Sequence, residues 1–328
     1  MEHRWLRRLI AVPLLLVALA VGLPLAPLVF LVAFAIDGVT RSPGLPTVRF
    51  VSLALQLLLL ELVAIVAAFV LWVASGFGVA MRSRPVQRWH GRVQSWWAGK
   101  VAGAAARSLG VRFEVAGEEL LRAGPVIVLC QHASYVDALL PALLLGTRAE
   151  FSLRYVLADE LSWLPSLNIF GRRLPNVFVR RRAGGAEQAA SIGRLAGGLT
   201  GETAVVIFPE GQFPTPQRRA RALAAIARTD PDRAARVTRL RQVLPPRPAG
   251  TLALLGAAPH ADIVVVAHRG LGSLGSLKAL RGDVPLRRPV EVKISRIPAS
   301  EVPVDSEEQV RWLDDQWGDI DRWMETTG

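Results

Sequence analysis

Two apolar runs near the start constrain this chain more than any other feature. No charge interrupts Leu9 to Ile36, and the stretch from Phe50 to Met81 holds a single acid, Glu61. Each run exceeds the ~20 residues that a helix needs to cross about 30 Å of hydrocarbon. The first is also far longer than the roughly 7–15 apolar residues of a signal peptide. Pro13, Pro24 and Pro27 are expected to kink or shorten it, so a re-entrant segment is the alternative to a full crossing. The stretch 37–49, with Pro43, Gly44 and Pro46, reads as a short turn. Arg4, Arg7 and Arg8 precede the first run and Arg82, Arg84, Arg88 and Arg92 follow the second; the turn holds only Arg41 and Arg49 against Asp37. The positive-inside rule then puts both ends, and everything after residue 82, in the cytoplasm. The expected anchor is a transmembrane hairpin over residues 1–84, multi-pass, with the rest of the chain on the cytoplasmic side.

The net charge of +12 calls for a polyanionic partner: nucleic acid, anionic lipid or a phosphorylated substrate. Two membrane runs speak against nucleic acid and for anionic membrane lipids. Nearly all basic residues are Arg, which together with abundant Ala suggests a GC-rich bacterial genome and hence the bacterial inner membrane. Cys130 is the only cysteine, so no intrachain disulfide forms. In residues 85–109, Trp89, Val93, Trp96, Trp97 and Val101 recur at helical spacing among Arg88, Arg92 and Lys100. This predicts an interfacial amphipathic helix, with an ordinary packed helix of the following domain as the alternative.

Beyond residue 110 short apolar runs alternate with helical stretches. Strands are predicted at Val126–Cys130, Val177–Arg180, Ala204–Phe208, Ile263–Ala267 and Val290–Ile294, with helices near Ser134–Leu145, Gly185–Leu199 and Gly250–Ala257. That rhythm means an α/β domain with a mostly parallel central sheet, spanning 110–328. Residues 217–246 interrupt it as an Arg/Ala-rich helical insertion. A last helix, Ser306–Met324, opens with a capping pattern of Ser306 and Gln309.

The chemistry-bearing residues cluster at predicted strand ends. His132 follows a buried strand, in the crevice where open α/β sheets bind ligands, and a neutral imidazole there can take a proton near neutral pH. Asp137 can reach back to orient that ring, although Ser134 and Asp137 also form an S-x-x-D capping box that needs no catalysis. A second strand runs into Phe208, Pro209, Glu210 and Gly211; a plain turn with an exposed acid is the alternative. A third strand carries Arg180, Arg181 and Arg182, suited either to phosphate or to a solvated basic edge. Gly270–Gly275 matches G-x-G-x-x-G but opens no clear helix. The five histidines are scattered, so no metal site is expected.

In order and spacing these motifs resemble the lysophospholipid (glycerolipid) acyltransferase family, whose type activity is on 1-acylglycerol-3-phosphate. His132 to Asp137 matches its H-x-x-x-x-D block, Phe178 to Arg181 its F-I-x-R block, and Phe208 to Gly211 its F-P-E-G block. Val264–Ala267 loosely matches the fourth, and the resemblance spans about 111–270. Where members commonly continue T-R-S, this chain has Gln212, Phe213 and Pro214. The resemblance implies an O-acyltransferase with His132 as base and Asp137 as its orienter. Arg180, Arg181 and Arg247 would hold the phosphate of a lysophospholipid, with Phe208, Pro209, Glu210 and Gly211 shaping the acceptor site. Acyl-CoA or acyl carrier protein would be the co-substrate, with no cofactor. A membrane-tethered lipid-binding protein without catalysis is the contrasting reading.

Overall fold

The computed structural model describes residues 3–134, 137–180, 185–270, 282 and 284–326. Three helices come first: α1 (His3–Val39), α2 (Pro46–Ala74) and α3 (Arg84–Leu109). An α/β unit follows: β1 (Phe113–Ala116), β2 (Val126–Cys130), β3 (Ser152–Ala158), α4 (Pro165–Arg173), β4 (Val177–Val179), α5 (Ala186–Gly193) and β5 (Thr203–Ile207). Helices α6 (Pro216–Thr229) and α7 (Pro231–Val237) form the insertion, before α8 (Pro248–Ala257), β6 (Asp262–Arg269), β7 (Val290–Ile297) and α9 (Ser306–Glu325).

The seven strands run in the order β1-β7-β6-β2-β5-β3-β4. Every pairing is parallel except β6 with β7, so the mostly parallel α/β sheet is as expected. All five residues of β2 are buried, which a run of Val, Ile, Leu and Cys requires when both sheet faces are covered. One face of β2 and β6 (Val126, Val128, Val264, Val266) packs under α3 and the segment 142–148. The other (Ile127, Leu129, Ile263, Val265) packs against α5, α8 and α9, where Leu313 and Trp317 are fully buried. Each such side chain stabilises the fold by roughly 1.5–3 kcal/mol through removal from water.

Strands β1 and β3 were not foreseen. The stretch Ser134–Leu145 is no α-helix: a 3-10 turn at Asp137–Leu139 leads into a wide π-type segment at Ala142–Arg148. Asp305, rather than Ser306, caps α9, accepting from the N–H groups of Glu307 and Glu308. Helix α3 packs on the domain through one face. Ala98, Ala105 and Leu109 join the core, and Val93 and Trp97 pack on Ala64, Ala68 and Phe170, leaving Trp89 and Trp96 exposed.

The two N-terminal helices form the expected hairpin, and both are long and apolar enough to cross a membrane. α1 continues unbroken through its three prolines. Asp37 closes the turn by accepting from the N–H groups of Thr47 and Val48 at the start of α2, at 3.1 and 3.0 Å. The turn does not stand away from the α/β unit, however. A Cβ on Gly44 would lie 2.7 Å from both Pro285 Cδ and the Val284 carbonyl, so only glycine fits there. Arg49 donates to the Ser108 carbonyl and Gln56 to the Ser108 hydroxyl. Further along, Glu61 accepts from the N–H and hydroxyl of Ser166, and Arg173 donates to the Ala68 carbonyl. At the other end Arg7 pairs with Asp159 and Arg8 with Asn168. A hairpin standing across about 30 Å of hydrocarbon would carry its turn away from the domain. Here α2 lies along the domain from end to end. The outward faces of α1 and α2 remain apolar, with Leu9, Leu28, Leu31, Phe34, Val66 and Phe69 exposed.

Candidate active site

The carboxyl ends of β2, β5 and β6 meet at the middle of the sheet. The chain leaves β2 toward β3 on one side, and leaves β5 for β6 on the other. The crevice opened by such a reversal is where ligands bind in sheets of this kind. His132 stands there, two residues past β2, with its ring between Phe208 and Phe213 at centroid distances of 4.7 and 4.4 Å.

His132 Nδ1 lies 3.0 Å from Asp137 Oδ1. The second carboxylate oxygen accepts from the N–H of Ser134 at 2.7 Å and from that of Ala133, while the Ser134 hydroxyl accepts from the Asp137 N–H at 3.3 Å. The capping box and the imidazole contact therefore coexist, one oxygen to each. Asp137 is 1% exposed. Burial pushes its carboxyl upward, but the hydrogen bonds and charges of His132 and His268 outweigh this and hold it at about 2. The aspartate is thus an anion at neutral pH, its charge turned toward the imidazole. With Nδ1–H donated to Asp137, the lone pair of His132 sits on Nε2.

Glu210 does not face an acceptor. It is 1% exposed, and its oxygens accept from the N–H groups of His132 at 3.0 Å and Leu244 at 2.9 Å. Burial raises its carboxyl to about 8 despite those two bonds. It ties the His132 loop to the end of the insertion, a positioning duty in place of the predicted substrate contact. Phe208 supplies an aromatic wall. Pro209 is buried and accepts from the Arg247 N–H at 2.9 Å. Gly211 adopts φ +68° to close the turn on the Phe208 carbonyl, and the Arg247 side chain lies 3.7 Å from where its Cβ would be. Arg247 is exposed beside that turn, within the site. The N–H groups of residues 132–134 all point inward, so they are not the oxyanion donors that a strand end would otherwise offer.

Arg180 is exposed just past β4, three strands from β2, or about 14 Å at the usual strand spacing. Arg181 and Arg182 lie outside the described residues, as do Tyr135, Val136 and the glycine-rich stretch beyond Gly270. Two residues escaped the sequence reading. Phe213 falls within the departure from the third block. His268, on β6, brings Nε2 to 3.2 Å from Asp137 Oδ2, so the carboxylate sits between two imidazoles. Its only sequence signal was a histidine at the end of a fully apolar strand.

The sequence family described as Acyltransferase matches residues 112–266. Residues 112–266 are an acyltransferase-family domain. Among solved structures the chain is similar to the crystal structure of the 1-acyl-sn-glycerophosphate (LPA) acyltransferase, PlsC, from Thermotoga maritima. Identity is 18%, the match covers 83% of this chain and 98% of that one, and the TM-score is 0.47. Comparison with curated proteins gives no match.

Proposed function

We propose that this acyltransferase moves a fatty acyl group from acyl-CoA or acyl carrier protein to the free hydroxyl of a lysophospholipid, foremost 1-acylglycerol-3-phosphate, giving phosphatidic acid. The observation that carries the reading is the 3.0 Å contact between His132 Nδ1 and a buried, ionised Asp137. Nε2 of His132 takes the hydroxyl proton as the oxygen attacks the thioester carbonyl. Asp137 stabilises the imidazolium so formed. Collapse of the tetrahedral intermediate expels the thiolate, a good leaving group because thiols ionise near 8.5, and the proton held on His132 is available to it. No covalent enzyme intermediate and no cofactor is needed. Phe208 and Phe213 shield the ring from water, and Arg247 and Arg180 would hold acceptor phosphate, together with Arg181 as the family resemblance implies.

The lipid reaches this site at its own interface. The exposed apolar faces of α1 and α2 seat the hairpin in one leaflet, parallel to the surface, with the acyltransferase domain on the cytoplasmic side of the bacterial inner membrane. The basic surface favours the anionic lipids of that leaflet. Purified protein in mixed micelles should release thiol from palmitoyl-CoA only when lysophosphatidate is added. Thiol release independent of any lipid acceptor, or none with either donor, would overturn this reading.

A further inference from the structure

A cavity of about 350 Å³ opens beside the His132 loop, on the side away from the Arg180 strand. Ala133 and His268 form its inner wall, and Arg219, Arg241 and Arg269 reach it from α6, from the segment after α7 and from the end of β6. Among the described residues no carboxylate lines it. The three arginines differ. Arg269 is paired with Glu291 and lies over the Trp323 ring, so its charge is matched. Arg219 donates one Nη2–H to the Thr238 carbonyl, and its buried Nε has no hydrogen-bond partner. Arg241 is exposed, and neither it nor Arg219 has an acidic partner among the described residues. Asp321 fixes the backbone that presents Arg241, accepting from the N–H groups of Arg241, Gln242 and Val243. Beneath them His268 is 1% exposed, and its Nδ1 has no hydrogen-bond partner.

Two guanidiniums with no acidic partner among the described residues, converging on one cavity, form a receptor for a doubly charged oxyanion. We infer that this cavity is a phosphate subsite for a substrate, with Arg219 and Arg241 as the binding cations. The inference rests on the proposed reaction for its choice of ligand: the phosphate belongs either to the acceptor or to the acyl donor. Ala133, next to the base, lines the same cavity, so a phosphate here sits one short linker from the reacting groups. The insertion of residues 217–246 then has a function, since it supplies both arginines at a place where the third block itself offers Gln212, Phe213 and Pro214.

Binding tests this without turnover. The full chain in detergent is titrated calorimetrically with glycerol 3-phosphate and, separately, with coenzyme A, as wild type and as Arg219→Gln/Arg241→Gln. Loss of at least tenfold in affinity for one ligand, with the other unchanged, supports the subsite and names the substrate it serves. Arg241→Gln alone, at an exposed side chain, should show a smaller loss for the same ligand and guards against misfolding of the double variant. Equal affinity of wild type and both variants for each ligand, or no binding of either to wild type, would overturn the inference. Arginine-dependent binding without any acyl transfer would leave the subsite standing and remove the proposed reaction instead.

Discussion

Asp137→Asn separates what the carboxylate does for the fold from what it does for catalysis. The aspartate accepts from His132, Ala133 and Ser134, and the His268 ring lies 3.2 Å from its Oδ2. Asparagine has one acceptor oxygen and must turn its NH₂ somewhere. Aimed at Ala133 and Ser134, the NH₂ faces two N–H donors and leaves both unpaired, at about 1–3 kcal/mol each. The amide therefore settles with its oxygen on those two groups and its NH₂ toward His132. Nδ1 must then accept, the ring proton moves to Nε2, and the base presents no lone pair to the substrate. The expected loss is 10²–10⁴-fold in kcat, the range set by a positioned general base, with little change in KM.

The same substitution carries a pH signature. Holding the carboxyl at about 2, below the ordinary 3.8, contributes about 2.4 kcal/mol to folding at neutral pH. Because the folded value is the lower one, this stability is present above pH 3.8 and lost as pH falls toward 2. Urea unfolding in detergent between pH 7 and pH 3 should show wild type losing stability at the acid end, while the variant starts lower and lacks that limb. Thiol release with lysophosphatidate as acceptor gives kcat on the same preparations. A folded variant with kcat within threefold of wild type would refute both the tautomer argument and the role of His132 as base.

Other substitutions test neighbouring parts. His132→Ala should cost 10²–10⁴-fold in kcat and also lower stability at neutral pH, because the ring is one of the two partners that hold Asp137 low, so circular dichroism of the variant is read beside kcat. Glu210→Gln should flatten the dependence of stability on pH: with the folded carboxyl near 8 and the unfolded one near 4.5, wild-type stability falls by up to about 1.4 kcal/mol per pH unit as pH rises between them, and denaturant titrations at pH 5, 6 and 7 would show it. Thr40→Cys, in the hairpin turn, should stay unlabelled by an impermeant thiol reagent in intact cells and react after permeabilisation, because native Cys130 is buried and silent; labelling in intact cells would mean that the turn crosses. Glu61→Ala should loosen α4 from the hairpin, costing about 1–3 kcal/mol and exposing the 159–173 segment to limited proteolysis.

The parts legible in the sequence were those whose signal is local. A strand of Val, Ile and Leu ending in His132, and another ending in Pro209 and Glu210, announce a sheet with polar groups at its carboxyl edge whatever the strand order. Strand order itself is non-local, which is why His268 was passed over: only the pairing of β6 beside β2 brings it to Asp137. The direction in which Glu210 points was hidden for the same reason, since its two partners come from the loop after β2 and the end of the insertion. Strand β1 is four residues long and β3 carries Arg154 and Tyr155 within an otherwise apolar run, so neither shows a clean period.

Hydropathy alone does not say where the hairpin turn sits relative to a bilayer, and the reason lies in what it averages over. A run of apolar residues reports that a helix avoids water, and the same run serves a helix that crosses a bilayer, lies in one leaflet or covers a domain. The few polar residues within the run carry the distinction. Glu61, alone among 32 residues, would be costly to bury in hydrocarbon without a partner, and it has one on the domain: the N–H and hydroxyl of Ser166 at the start of α4. Gln56 and Arg49 lie on the same side of α2 as the Ser108 groups they contact. Arg49, Gln56 and Glu61 each meet a partner on the domain. Such partners are what a helix needs when it has a protein surface on one side and lipid on the other.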